Sequence, residues 1–262
     1  MTRPMVVITG ASEGIGRAFA RRYAAEGRDL LLIARRPEPL ALLAKELRAA
    51  HSVRVEALAQ DLTAPDALDA IDTVLVIAGA HCDLLVNNAG IGLSGAFHDQ
   101  ALDDIEQLVA INVAAPTRLM RHMLPGMRAR GRGGIINLAS LGGFAPGPYQ
   151  AAYYASRAYM LSLSEAVAAE VARDGVRITA VAPGPVRTGF HDKMGSDSDL
   201  YRWLIPSLSP ENVARWAGTA HNLGVRVVVP GLLNNILALF LRLMPHRISV
   251  LIQGSLFYPR NR

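Results

Sequence analysis

The chain has 262 residues, 51% of them apolar, and a formal net charge of +5. That length suits one large α/β domain, and that apolar content excludes a disordered chain. A lone cysteine, Cys82, excludes an internal disulfide framework and cysteine-rich metal sites, and basic residues scattered singly or in pairs exclude a nucleic-acid-binding stripe.

The first predicted strand, MVVIT (5–9), is entered after four residues with no apolar leader, which reads against a secretory signal. It runs into ITGASEGIGRAFA, whose glycines are Gly10, Gly14 and Gly16. Glycine permits a tight turn and lets a phosphate approach the backbone. The helix that follows, Arg17–Glu26, offers unpaired N–H groups and the positive end of its dipole. This turn, which also carries Ser12, Glu13 and Ile15, is expected to hold the phosphates of a dinucleotide. The second strand, DLLLIA (29–34), has no acid at its tip and continues into Arg35 and Arg36. An acid there would accept a ribose 2′-hydroxyl, whereas guanidinium groups grip a 2′-phosphate. NADP(H) is therefore favoured over NAD(H), with the charge of Glu13 opposing that preference.

A helix is predicted over Leu40–Ala50, then strands VRVEALA (53–59) and DLLVNN (83–88), and a helix over Leu102–Met123. Strand GIINLA (134–139), helix Gln150–Arg173 and strand RITAVA (177–182) follow. Arg187–Ser209 is polar and rich in Gly, Ser, Asp and Pro, and reads as an irregular insert. A last strand, RVVVP (226–230), precedes a densely apolar segment over 232–262. Strand–helix alternation along the whole chain predicts one α/β domain over 1–262, a doubly wound parallel sheet of about seven strands flanked by helices.

Motifs in register along the chain give it a resemblance to the short-chain dehydrogenase/reductase family. TGASEGIG (9–16) is similar to its cofactor turn and NNAG (87–90) to its fourth-strand motif. Asn112 in INVAAP, Ser140 in NLASLGG, and Tyr153 with Arg157 fall in the order of its catalytic tetrad. PGPVRT (183–188) resembles the motif after its sixth strand. The resemblance implies a single Rossmann-like domain and an NAD(P)-dependent oxidoreductase interconverting carbonyls and alcohols. It further implies adenine-side contacts from Asp61 and Leu62, and a ribose backing from Asn88, Ala89 and Gly90. Pro183, Gly184, Val186 and Thr188 would meet the nicotinamide half, and Tyr153 and Arg157 would touch the cofactor as well as the substrate.

In carbonyl reduction the cofactor carries the hydride, and the protein handles a proton and a developing oxyanion. Tyr153 is the candidate acid and Ser140 the second donor to that oxygen. A free tyrosine titrates near 10, so it needs a cation close by, and residue i+4 lies on the same helix face. Tyr149 and Tyr154 lack that partner, having Tyr153 and Ala158 at i+4. By the resemblance, Asn112 holds a water in the proton path. The departure is Arg157, where the family carries lysine. Of 27 basic residues only Lys45 and Lys193 are lysines, so the chain prefers arginine throughout. Arginine keeps the charge and the donors but does not release its proton. Two readings stay open: a working reductase in which Arg157 supplies charge and ribose contacts, or a nucleotide-binding sensor or partner subunit with little turnover.

Residues 187–209 are expected to form a substrate loop, lined by Phe190, His191, Met194, Leu200, Tyr201, Trp203 and Leu204, with Gly92–Phe97 opposite. That lining predicts a fairly hydrophobic carbonyl or alcohol substrate. In the final segment a helix from about Leu232 to Met244 is apolar on most sides. Packing and subunit contact, in a homodimer or homotetramer, are the first expectation, with a membrane surface as the alternative. No apolar run of roughly 18 residues is uninterrupted, which reads against a membrane span. A reducing compartment, the cytoplasm, is the simplest reading of one cysteine.

Overall fold

The computed structural model describes residues 2–190, 194 and 207–256. Its strands are β1 (Arg3–Thr9), β2 (Asp29–Ala34), β3 (Val55–Ala59), β4 (Ala80–Asn87), β5 (Gly133–Leu138), β6 (Val176–Val181) and β7 (Val227–Val228). They pair in parallel as one Rossmann-like sheet in the order β3-β2-β1-β4-β5-β6-β7. The helices are α1 (Gly14–Ala25), α2 (Pro37–Ala50), α3 (Ala67–Ile77), α4 (Leu102–Val109), α5 (Ala115–Ala129), α6 (Ala151–Glu170), α7 (Pro210–Asn222), α8 (Leu232–Leu243) and α9 (His246–Leu256).

The strands read as continuous apolar runs because both sheet faces are covered. Side chains alternate between the faces. Val6, Ile8, Leu30 and Leu32 join Phe19, Leu40, Leu43 and Val213 in one core. Met5, Val7, Leu31 and Ile33 join Ile71, Leu119, Ile135, Leu161 and Ile178 in the other. Each fully buried aliphatic side chain contributes about 1.5–3 kcal/mol, so the central strands anchor the loops at their carboxyl ends.

The order in which strands are added reverses between β1 and β4, and in such sheets ligands bind in the crevice beyond the carboxyl ends at that point. Thr9 ends β1 and Asn87 ends β4, so both motifs arrive there together.

The expected helix over 102–123 is interrupted. Ala110–Ala114 form a π-turn between α4 and α5. Pro116 has no N–H to give the carbonyl of Asn112, four residues earlier, and the ladder shifts to the wider spacing, with the Ala115 N–H reaching Ala110 O. At the sheet edge β7 is shorter than RVVVP suggested and pairs with β6 only through Val227 and Val228.

Candidate active site

The glycine turn departs from ordinary backbone at Gly10 (φ 63°) and Gly14 (φ 54°), a region that L side chains rarely adopt. A Cβ on Gly16 would collide with the Gly10 carbonyl oxygen. Gly16 is thus buried under the turn rather than facing the cleft. The turn is tied to β4 by a small network. Thr9 Oγ1 accepts from the N–H groups of Asn88 (2.9 Å) and Ala89 (3.0 Å) and donates to Val86 O. The Asn88 amide donates to Thr9 O (2.9 Å) and Gly10 O (3.2 Å). Asn87 turns the other way, donating to Asn137 Oδ1 between β4 and β5. Within NNAG, then, Asn88 holds the turn's shape and Asn87 holds the sheet.

A cleft of about 1020 Å³ opens above these strand ends. Gly10, Ser12, Glu13, Gly14 and Ile15 line it, as do Arg35, Arg36, Asp61, Leu62, Asn88, Ala89 and Gly90. No side chain caps α1, so its first amide groups remain for an anion. At the far end Arg36 pairs with Glu13 at 2.7 Å. The acid that sequence reasoning set against a phosphate is thereby partnered, and Arg35 forms no ion pair among the described residues. Asp61 accepts from the Thr63 N–H (2.9 Å) and hydroxyl (2.8 Å), and the Thr63 backbone bond is the main cause holding its carboxyl below the usual range. Gln60, Thr63 and Arg17 also line the cleft. Nothing in their spacing marked them, because they arrive from the ends of β3 and α1.

At the opposite end, Ser140 follows β5 in extended backbone and accepts from the Gly142 N–H at 3.1 Å, capping a short turn over Leu141–Phe144. Tyr153 lies in the first turn of α6 and lines the same cleft as Ser140. Its ring is 5.8 Å from that of Phe190 and 6.1 Å, edge-on, from that of Tyr154. Tyr154 is buried against Gly142 and Gly147, where a Cβ at either glycine would meet its ring. Both tyrosines line the cleft, and the Tyr154 ring is the one packed against these glycines.

Arg157 is 5% exposed. Its guanidinium carbon lies 5.0 Å from the centre of the Tyr153 ring. Nη1 donates to Leu138 O at 3.0 Å, while Nε is buried with no partner. A Cβ on Gly90 would stand 2.6 Å from Nη2, so a glycine at 90 makes room for the larger cation. Asn112 is brought near but not into the cleft. It is 1% exposed, and its amide is spent on both backbone groups of Ile91 (2.9 and 2.8 Å) and on Ser156 Oγ (3.2 Å). Its side chain thus ties the loop after β4 to the π-turn.

Pro183, Gly184, Val186 and Thr188 line the cleft on the side of β6. Leu141 N–H donates to Pro183 O at 3.0 Å, and a Cβ on Gly14 would touch the Thr188 methyl. Phe190, Met194, Ile91 and Leu93 close the mouth. Ser94 Oγ donates to Met194 O at 2.7 Å, joining the two expected walls. His191, Lys193, Leu200, Tyr201, Trp203 and Leu204 lie outside the described residues. Among the described residues no cluster of acids, histidines or cysteines is arranged to hold a metal.

Comparison with known proteins is consistent with this geometry. The model of the short chain dehydrogenase family matches residues 4–199. The chain is 34% identical over 215 residues to a fatty acyl-CoA reductase of Acinetobacter baylyi, across 80% of this chain and 70% of that one. It is 36% identical over 218 residues to sulfoacetaldehyde reductase 2 of Chromohalobacter salexigens, across 80% and 85%. Among solved structures it matches a short-chain dehydrogenase from Sphingobium yanoikuyae in complex with NADPH, at a TM-score of 0.80 and 36% identity, covering 87% of this chain and 88% of that one.

Proposed function

Because the chain belongs to the short-chain dehydrogenase/reductase family and is an NAD(P)-dependent oxidoreductase, we propose that it uses NADP(H) to interconvert a carbonyl and a secondary alcohol on a fairly hydrophobic substrate. The observation that carries the reading is the meeting of Tyr153, Ser140 and Arg157 in one cleft, with the guanidinium carbon 5.0 Å from the tyrosine ring. The cleft fits a dinucleotide. Its floor is the glycine turn, where Gly10 and Gly14 line the cleft and Gly16 packs beneath them against the Gly10 carbonyl, and the uncapped start of α1 faces it. When bound, the nicotinamide supplies the hydride.

The chain's own residues divide the remaining work. The Tyr153 hydroxyl gives or takes the proton at the substrate oxygen, and the Ser140 hydroxyl holds that oxygen in place. Arg157 provides a fixed positive charge beside the phenol. It keeps its proton at any physiological pH, so residue 157 acts through charge and hydrogen bonds and not as a proton relay. Arg35 and Arg36 line the cleft after β2, with Arg36 already paired to Glu13, and the guanidinium of Arg35 supports NADP(H). Ile91, Leu93, Phe190 and Met194 at the mouth support an apolar substrate. Exposed Phe97, with Leu102 and Val109 at the two ends of α4, supports a homo-oligomer.

Steady-state oxidation of NADPH and NADH with a panel of apolar ketones and aldehydes tests the reading. Turnover is expected with NADPH, and Tyr153→Phe is expected to lower kcat by about 10²–10⁴-fold while NADPH still binds. Unchanged turnover in that variant sinks the assignment of Tyr153. A second reading, nucleotide binding without turnover, draws on the Arg157 Nη1 bond to Leu138 O, which removes one donor from the cleft. Tight NADPH binding, no turnover in the native chain, and turnover gained on Arg157→Lys would establish that reading instead.

A further inference from the structure

The two helices after β7 are built inside out. On α8, Leu232, Ile236, Leu239 and Leu243 recur at i, i+4, i+7 and i+11, flanked by Leu233 and Phe240, and every one of them is more than half exposed. The buried stripe of the same helix is Asn234, Ala238 and Leu241. On α9, Ile248 and Leu251 are exposed, at 50% and 74%, while the buried positions are Ser249 and Gln253. Ser249 Oγ, Gln253 Oε1 and Asn234 Oδ1 are buried without a hydrogen-bond partner. A helix pair in contact with water on its outer face would carry the opposite pattern. Contiguous apolar surface of this kind marks an interaction site.

The charges say what covers it. From Asn212 to Arg262 there is no Asp or Glu, against six arginines. Arg242 borders the apolar face of α8 and stacks on Phe144 at 4.4 Å, and exposed His246 and Arg247 open α9. In a two-fold contact between copies through this face, the patch meets the same patch of the partner. Its arginines would then find no acid in the opposing segment to pair with. A negatively charged sheet of apolar material satisfies both the face and its rim. Each helix is too short and interrupted to cross a bilayer, and no described helix meets the length and hydropathy of a span.

We propose that α8 and α9 lie in the plane of an anionic lipid bilayer, with the face from Leu232 to Leu243 immersed among the acyl chains and Arg242 and Arg247 among the headgroups. This inference is independent of the reaction assigned to the cleft. The test is co-sedimentation of the full chain with vesicles of phosphatidylcholine alone or of phosphatidylcholine with phosphatidylglycerol. Capture by the anionic vesicles is expected to exceed capture by the neutral ones by roughly tenfold and to fall at about 1 M salt. The double variant Leu239→Glu, Leu243→Glu, both on the exposed face, is expected to stay in the supernatant with an unchanged melting temperature. Arg247→Glu, which leaves the apolar face intact, is expected to lower capture by anionic vesicles alone. Failure of the native chain to sediment with either vesicle overturns the proposal, as does equal capture of the double variant. A lipid-free dimer that the double variant splits, in a chain that ignores vesicles, assigns the face to a second copy.

Discussion

The glycine turn and the α8–α9 pair both break a rule of soluble proteins, and they differ in how the break is repaired. At the turn, Gly10 and Gly14 take backbone conformations closed to other residues, and an internal network through Thr9 and Asn88 holds them there. Every polar group named in that network has a partner within the chain. At α8 and α9 the break lies in the side chains: apolar residues face out, and Ser249 and Gln253 face in without partners. Nothing within the described chain repairs it. The first region is complete as it stands, apart from its ligand. The second is finished only by something outside the chain.

The largest expected effect probes how strictly the sheet region excludes an unpaired charge. His221 on α7 is buried beside Thr179, whose hydroxyl donates to Val225 O (2.8 Å) and lies 3.1 Å from Nδ1. Burial first, then the charges of Arg177 and Arg28, pushes the imidazole down to about 4. The unfolded chain therefore binds a proton near pH 6.5 that the folded chain refuses until about pH 4. Stability is full above pH 6.5 and falls as the pH drops through that window, by on the order of 3 kcal/mol at its lower end. Urea unfolding at pH 7 and pH 4.5 should show the loss, and His221→Gln should reduce it. Equal slopes in the two proteins would contradict a buried neutral imidazole.

Next comes the turn itself. Gly16→Ala sets a methyl against the Gly10 carbonyl. A cost of about 2 kcal/mol is expected from overpacking, with NADPH affinity weakened together with the melting temperature. A variant that binds NADPH like the native chain would show the turn to be less fixed than its network suggests. A smaller effect is expected at Arg35, which lines the cleft with no ion pair among the described residues. Arg35→Ser should raise the KM for NADPH about tenfold, near 1.4 kcal/mol, and leave that for NADH unchanged. A parallel rise for both cofactors would remove the 2′-phosphate from the explanation.

The smallest effect belongs to the other region. Leu239 is 58% exposed and Leu241, two residues on, is 7% exposed. In the absence of lipid, Leu239→Glu should change stability by no more than about 0.5 kcal/mol, while Leu241→Ala should cost about 2 kcal/mol or more. Thermal melts of the two variants decide whether the outward face contributes anything to the isolated fold.

Much of the fold was legible because the strands are buried on both faces. DLLLIA was read at the bounds that β2 takes, and the other strands within a few residues. The π-turn was not read from periodicity, because the single added residue shifts the apolar face by one position, which a short segment does not mark. Its signal was Pro116, four residues after Asn112. The order of Asn112, Ser140, Tyr153 and Arg157 was read from spacing, but the bonds of the Asn112 side chain to Ile91 were not, because Ile91 lies 21 residues earlier, beyond the end of β4. Gln60 and Thr63 escaped notice for the same reason: their place at the cleft follows from strand order alone.

By itself the sequence determined the alternating layers, the glycine turn, the arginine pair after β2 and the cation one helical turn after Tyr153. These follow from interactions within a few residues, such as a missing Cβ, a dipole end, or a cation one helical turn away. Only the tertiary structure decided where the Arg157 guanidinium rests, that Glu13 is answered by Arg36, and which faces of α8 and α9 look outward. Each of those depends on atoms far apart in the chain, and no periodicity within a segment encodes what will pack against it.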